Sequence, residues 1–347
     1  MQCFTSITNN YIPKARVLAR TLKSHHPDWK LHLVLSEPLH PSVRPFEEPF
    51  DSIINIDELG IPNLQSWIFK HRVTEICTAV KGLAALWIIE RENADRIIYF
   101  DPDIAVFNDL SHLNDLLDQH PILLAPHQSK PEHAKHSIVA NEIGSLRWGV
   151  FNLGFFAARK DGQGGEFLKW WSERLSQFCY DDIPYGLFTD QRWCDLAPVF
   201  FDQLHILRDP QFDVATWNLT QRTMTMSPEG QLQIDGKPLG FYHFSGYDSE
   251  AGFQMVRHLF QDTKHPIFDV WEWYLDQIRI YGQEELGNAA WQYARFSNGA
   301  KIEDAMRKTY RERPDLETAF PNPFRVEEGK DSFYAWWQHS QLAGAAK

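Results

Sequence analysis

From Cys3 to Leu196, short apolar runs alternate with amphipathic stretches of 3.6-residue period. That order restricts the chain to a mostly parallel sheet flanked by helices, with ligands at the carboxyl ends of the strands. Strands are expected at Cys3–Ile7, Leu31–Leu35, Ser52–Ile56, Arg96–Phe100, Ile122–Ala125 and Val150–Ala158. Between the first two, Asn10 caps a helix that has Pro13 in its first turn and runs on through Val17, Leu18 and Leu22. One helix is expected over Val73–Glu90, where Val73, Ile76, Val80, Leu83, Ala84 and Trp87 share a face, and further helices over Gly165–Gln177 and Asp190–Leu196. From Gln231 the texture changes: Gln231–Ile234, Gly236-Lys237 and Gly240–Phe244 read as a β-hairpin, and helical patterns dominate beyond Ser249. The division drawn is a catalytic α/β domain over residues 1–250 and a helical, aromatic-rich extension over residues 251–347.

Charge excludes some partners. The chain has 34 Lys and Arg against 46 Asp and Glu, a net charge of −12. Nucleic acid and anionic membrane both need clustered cations, so neither is expected as the main partner. An acidic chain that holds an anionic substrate must do so locally, with a metal ion or a few placed cations. The 13 Trp suit either sugar faces or a large core, and core packing is the default for those of the extension, ahead of a cover over the acceptor or a membrane contact. Four scattered cysteines without a CxxC pattern read as reduced thiols. No apolar run approaches the ~20 residues of a membrane span, and no signal-peptide pattern opens the sequence, so a cytoplasmic protein with at most peripheral contact at the inner membrane face is expected.

The sharpest chemical feature is Ile97-Ile98-Tyr99-Phe100-Asp101-Pro102-Asp103, an apolar strand running into two carboxylates one residue apart. Such a pair repels itself unless a cation or a proton lies between, and a bound Mg²⁺ or Mn²⁺ keeps positions open for phosphate oxygens. Two reaction classes use this pattern. In aspartyl-phosphate hydrolases of the haloacid dehalogenase type the first Asp is the nucleophile, but they want Thr or Val where this chain has Ala105. In nucleotide-sugar transferases the carboxylates hold the metal of the donor diphosphate, and that reading fits better.

At these residues the sequence resembles GT-A-fold glycosyltransferases of the glycogenin and lipooligosaccharide galactosyltransferase type, over residues 1–250. Asn9-Asn10-Tyr11 is similar to the family's Asp-Asn-Tyr, and with Thr5 it would contact the donor's nucleoside. Asp101-Pro102-Asp103 stands where the metal motif stands, and Phe151-Asn152-Leu153-Gly154 matches a Phe-Asn-x-Gly strand that lines the donor sugar. Asp190-Gln191 matches the pair at the reacting carbon. His243-Phe244-Ser245-Gly246 matches a motif whose His is the third metal ligand and whose Gly lies against the donor. The resemblance implies a metal-dependent hexosyltransferase that retains anomeric configuration. Mn²⁺, or Mg²⁺, would be the cofactor, a nucleotide-diphosphate sugar (a UDP-sugar first) the donor, and a glycan or lipid-linked glycan of bacterial surface polysaccharide the acceptor. An Asp/Asp/His set favours manganese.

The sequence departs from that family after the His motif, where Tyr247-Asp248-Ser249 replaces Lys-Pro-Trp. The diphosphate cation must then come from elsewhere, with Lys81 first and Arg16 or Lys237 behind it. Arg192 stands where a third acidic residue is common, and Asn9 replaces an Asp. Plainer readings stand beside each of these. His243 could be a core histidine bonded to backbone, Asn152 a satisfier of backbone groups, Asp190 a helix N-cap as well as a catalytic group, and Lys81 a solvated helix residue. The long polar segment Gln128–Leu146 reads as a loop serving as lid or acceptor wall. The alternatives to a transferase are the phosphohydrolase above and a non-catalytic sugar-binding protein on a degenerate transferase fold.

Overall fold

The computed structural model describes residues 1–327 and 330–345. Seven strands of the first half carry the argument: β1 (Gln2–Ile7), β2 (Lys30–Leu35), β3 (Ser52–Asn55), β4 (Arg96–Phe100), β5 (Ile104–Val106), β6 (Ile122–Pro126) and β7 (Phe151–Arg159). The main sheet has seven strands in the order Leu204–Ile206, β6, β7, β4, β1, β2, β3. All its pairings are parallel except those of β7, which runs antiparallel to both β4 and β6. Strands covered on both faces are mostly apolar, as β4 is from Ile97 to Phe100 and β7 from Leu153 to Ala158, while β1 is buried from Cys3 to Ile7 although it carries Thr5 and Ser6. This is the helix-flanked, mostly parallel α/β architecture expected from the sequence.

A second, three-stranded sheet has β5 at one edge and joins it to chain segments far away in sequence, with Phe241–His243 as its central strand. Phe241–His243 pairs antiparallel with β5, placing His243 opposite Ile104, and pairs parallel with Val214–Ala215. The hairpin expected across residues 231–244 is therefore only partly formed. Leu232–Ile234 does turn back onto Lys237–Pro238, but its other neighbour is Met224–Met226. Phe241, Tyr242 and His243 leave for the second sheet because these buried side chains find their core there.

Other boundaries moved for local reasons. The helix expected over Val73–Glu90 is two, Val73–Ala79 and Lys81–Arg91, with a tightened turn at Val80 whose N–H lies against the carbonyls of both Ile76 and Thr78. The apolar period runs through such a break and cannot reveal it. Asn10 is no cap: it lies in the 3₁₀ turn Asn9–Tyr11, its side chain bonded to Thr8, and the helix begins at Ile12. Around Asp190 the helix covers only Gln191–Cys194. Segment 128–146 is partly helical, with a turn at Lys135–Ser137, a π-helical stretch at Ile138–Glu142 and the helix Ile143–Trp148.

The core lies on both faces of the main sheet, and the C-terminal residues share it. Phe69 is ringed by Phe296, Tyr310, Phe324 and Phe333, while Tyr274 stacks on Phe244 with centroids 3.8 Å apart. Buried Trp271 and Tyr274 thus follow the default core reading of the extension's aromatics. All four cysteines are free thiols. Among the described residues no helix is long and apolar enough to cross a membrane.

Candidate active site

β4 ends at Phe100, and the chain turns immediately through Asp101-Pro102-Asp103 into β5. Two backbone bonds fix this turn: the Asp101 N–H donates to the Gly154 carbonyl of β7 at 2.7 Å, and the Phe244 N–H donates to the Asp103 carbonyl at 2.8 Å. The carboxylates are thereby tied to the strand that supplies Asn152 and to the one that supplies His243. Asp101, Asp103 and His243 each bring a ligand atom within 4.8 Å of the others. His243 Nε2 lies 3.1 Å from Asp103 Oδ1 and 3.6 Å from Asp101 Oδ2. Among the described residues the histidine makes no backbone bond through its ring, as a core histidine bonded to backbone would. Burial works against a charged His243 imidazole, but Asp103 and Asp101 outweigh it and raise its pKa well above the ordinary value.

Gly154 has to be glycine for this cluster to form. A Cβ there would meet His243 Cε1 at 2.4 Å and Asn152 Oδ1 at 2.6 Å. Asn152 accepts from the Gly154 N–H through Oδ1 and places its amide nitrogen 3.3 Å from His127 Nε2. The plainer reading of Asn152, as a satisfier of backbone groups, is thus realised, although the residue also reaches the cleft.

Lys81 is not solvated. Its side chain is 2% exposed, with Nζ 2.8 Å from Asp190 Oδ2 and 3.4 Å from Asp101 Oδ1, and it donates to the Leu153 carbonyl. Burial opposes its charge, yet Asp101 and Asp190 hold its pKa well above the usual lysine value. Tyr99 donates to the same Asp101 Oδ1, so Lys81 and Tyr99 engage that oxygen and leave Oδ2 toward His243. Asp190 gives no side-chain cap to its helix; it faces Lys81 instead, with its other oxygen accepting from the Thr189 hydroxyl. Thr189 itself has φ +44°, an outlier for a β-branched residue, held by a bond from its N–H to Tyr180. Gln191 donates its amide to the Trp148 carbonyl.

These groups line one cleft of about 1540 Å³ that also takes in Thr8, Asn10, Tyr11, Phe188, Trp217, Asp248, Trp291 and Arg307. Three expected donor contacts do not reach its wall. Thr5 is buried in mid-strand, and β1 meets the cleft only from Ser6 on, at its carboxyl end. Asn9 is buried and ties the loop after β1 to Pro38 and His40. Gly246 serves the chain turn, with φ +77°. Arg16 pairs with Glu48 and Lys237 with Asp209, both away from the cleft.

Three further residues escaped the sequence reading. Lys14, 1% exposed, grips Asp248 at 2.6 Å and stands 3.5 Å over the Tyr11 ring. His127 stacks edge-on to Trp217, with burial pushing its pKa down to about 4. Asp213 lies behind His243. Lys14, one residue past Pro13 on the first helix, carried a weak signal; the other two carried none.

Several known proteins are similar to this chain. Residues 2–163 match the model of Glycosyl transferase family 8. Over those residues the chain is similar to family 8 glycosyltransferases, in line with the class its sequence resembled. Two proteins of Bacillus subtilis (strain 168) are similar: YfnF is 26% identical over 208 residues, 59% of this chain and 67% of YfnF, and YfnD is 22% identical over 247 residues, 70% and 76%. Among solved structures, the galactosyltransferase LgtC with donor and acceptor sugar analogs is 15% identical at a TM-score of 0.40, covering 74% of this chain and 94% of LgtC. Mouse xyloside xylosyltransferase 1 is 14% identical at 0.43, covering 70% and 97%, and GlyE of Streptococcus pneumoniae TIGR4 is 14% identical at 0.43, covering 83% and 65%.

Proposed function

We propose that the cleft transfers a hexose from a nucleotide-diphosphate sugar, a UDP-sugar first, to a hydroxyl of a glycan or lipid-linked glycan. The observation that carries this reading is the meeting of Asp101, Asp103 and His243 beside the buried Asp190–Lys81 pair. Two carboxylates and an imidazole facing one point suit a divalent cation, and the imidazole favours Mn²⁺ over Mg²⁺. When bound, that cation would offset charge on the departing diphosphate.

The chain's own residues do the rest. Asp190 fixes a donor-sugar hydroxyl at the reacting carbon, and Lys81 holds its carboxylate in place. Asn10 and Tyr11 line the nucleoside end, and Asn152 and Gly154 the sugar end. Lys81 already faces two carboxylates, so its part in this reading is to position them rather than to grip the diphosphate. Retention is what the family resemblance implies, and because Gln191 is a poor nucleophile the route is front-face attack with the diphosphate oxygen as base. The acceptor oxygen bonds to the anomeric carbon as its bond to the diphosphate breaks, and the acceptor proton passes to the leaving diphosphate oxygen. Segment 128–146 forms the acceptor wall, residues 1–250 the catalytic part and the remainder a supporting extension. A cytoplasmic site at the inner membrane face, in bacterial surface polysaccharide synthesis, completes the reading.

Incubation with a panel of nucleotide sugars, with and without Mn²⁺, tests it. Metal-dependent release of nucleotide diphosphate from one donor, in preference to the others, is the expected result. No release from any donor at saturating Mn²⁺ or Mg²⁺ would sink the proposal.

A further inference from the structure

We infer that Asp213 is the positioning residue of His243: its carboxylate accepts a hydrogen bond from Nδ1–H and so leaves Nε2 unprotonated to face Asp101 and Asp103. The inference rests on the metal reading of that cluster. Asp213 is 1% exposed, and among the described residues neither of its carboxylate oxygens has a hydrogen-bond partner. His243 Nδ1 is likewise buried and, among the described residues, without a hydrogen-bond partner. These orphaned atoms face one another, Nδ1 to Oδ1, at 3.8 Å. Buried polar groups are seldom left unpaired, and two complementary ones at this separation need only a small approach to satisfy both.

The backbone holds Asp213 for this task. Val214–Ala215 runs beside Phe241–His243 with Ala215 opposite His243, so Asp213 enters the sheet next to the histidine strand. Its φ is +49°, a left-handed value uncommon outside glycine, asparagine and aspartate. Its carbonyl accepts from Asn218 Nδ2 at 2.9 Å and from Arg222 Nη1 at 3.1 Å, which pins the residue through main-chain bonds alone. The side chain is left for another partner. Arg222 is not that partner, since no ion pair joins it to the carboxylate among the described residues. Trp217 packs edge-on to the imidazole at 5.4 Å and Gly154 lies against Cε1, so the ring has little freedom to turn.

The chemistry needs such a partner. An imidazole binds a cation only through an unprotonated nitrogen, and a carboxylate that accepts from the other nitrogen fixes which one that is. Without Asp213, a neutral His243 could place its proton on Nε2 and turn a ligand into a donor.

The test is Mn²⁺ titration of the full chain, with the free ion followed by electron paramagnetic resonance. Asp213→Asn suits the left-handed backbone and keeps the carbonyl bonds, and it should weaken Mn²⁺ binding by about 10–100-fold with melting close to wild type. His243→Gln marks full loss of the ligand. If the wild-type chain binds no Mn²⁺, the metal reading itself fails. If wild type binds and Asp213→Asn binds equally tightly, the metal reading stands and this inference is overturned. Should the variant not fold, ¹⁵N-histidine spectra of the wild-type chain loaded with Mg²⁺ decide. The signal lost in His243→Gln should carry its proton on Nδ1, and a proton on Nε2 would refute the assignment.

Discussion

Lys81 shows what a single buried charge controls. Its ammonium lies between Asp101 and Asp190, and Asp190 is itself 2% exposed. Removing one partner of a buried pair leaves the other desolvated and uncompensated. Lys81→Met should therefore destabilise the chain by about 3–5 kcal/mol, measured by urea unfolding; a change within about 0.5 kcal/mol, as expected of a surface lysine, would show that the pair is not buried in solution. Asp190→Asn is the complementary change. It keeps the shape and the Thr189 contact but removes the charge that faces Lys81. Turnover should fall far more than nucleotide affinity, because the proposed partner of Asp190 is the reacting sugar. Equal losses in nucleotide binding and turnover would assign Asp190 to the architecture of the cleft instead.

At the scale of elements, the helix Lys81–Arg91 meets the helix Gln163–Phe178 at Gly82. A Cβ on Gly82 would lie 2.6 Å from Ser172 Cα and 2.9 Å from its backbone nitrogen. Alanine is intrinsically the better helix former by about 1 kcal/mol, so propensity alone predicts stabilisation. Backbone atoms cannot yield as a side chain can, and overpacking of this kind costs about 1–3 kcal/mol. Gly82→Ala should then lower the urea midpoint, and should also disturb activity by moving the adjacent Lys81. A raised midpoint would mean that the two helices separate at little cost. The split of the Val73–Glu90 pattern at Val80 belongs to this scale too: it starts a new helix whose first residue, Lys81, reaches Asp190.

For the whole molecule, the C-terminal residues hold the α/β body together as much as they follow it. Arg307 donates to the carbonyls of Phe69 and His71, and Gln292 bonds to Glu37 beside the first strand. His71 sits in this seam, its Nδ1 bonded to the Trp67 carbonyl, and burial lowers its pKa from 6.5 to about 3. The folded state thus binds this proton less readily than the unfolded chain. The contribution is fully present above about pH 6.5 and is lost as pH falls toward 3, on the order of 5 kcal/mol in all. Stability of wild type measured against His71→Gln from pH 7 to pH 4 should show the gap closing as the pH drops; a gap independent of pH would mean that His71 is accessible to protons in the fold. The sequence by itself determined the alternating α/β order, the strand-end pair Asp101 and Asp103, and the motifs that bring in Asn152, Asp190 and His243, because periodicity and short spacings are local properties of the chain. The partner of Lys81, the burial of Asn9, the placement of Asp213 behind His243 and the sharing of one core by both ends of the chain were decided only by the tertiary structure. Each depends on contacts between segments distant along the chain, where burial and charge pairing, rather than local spacing, choose the neighbour.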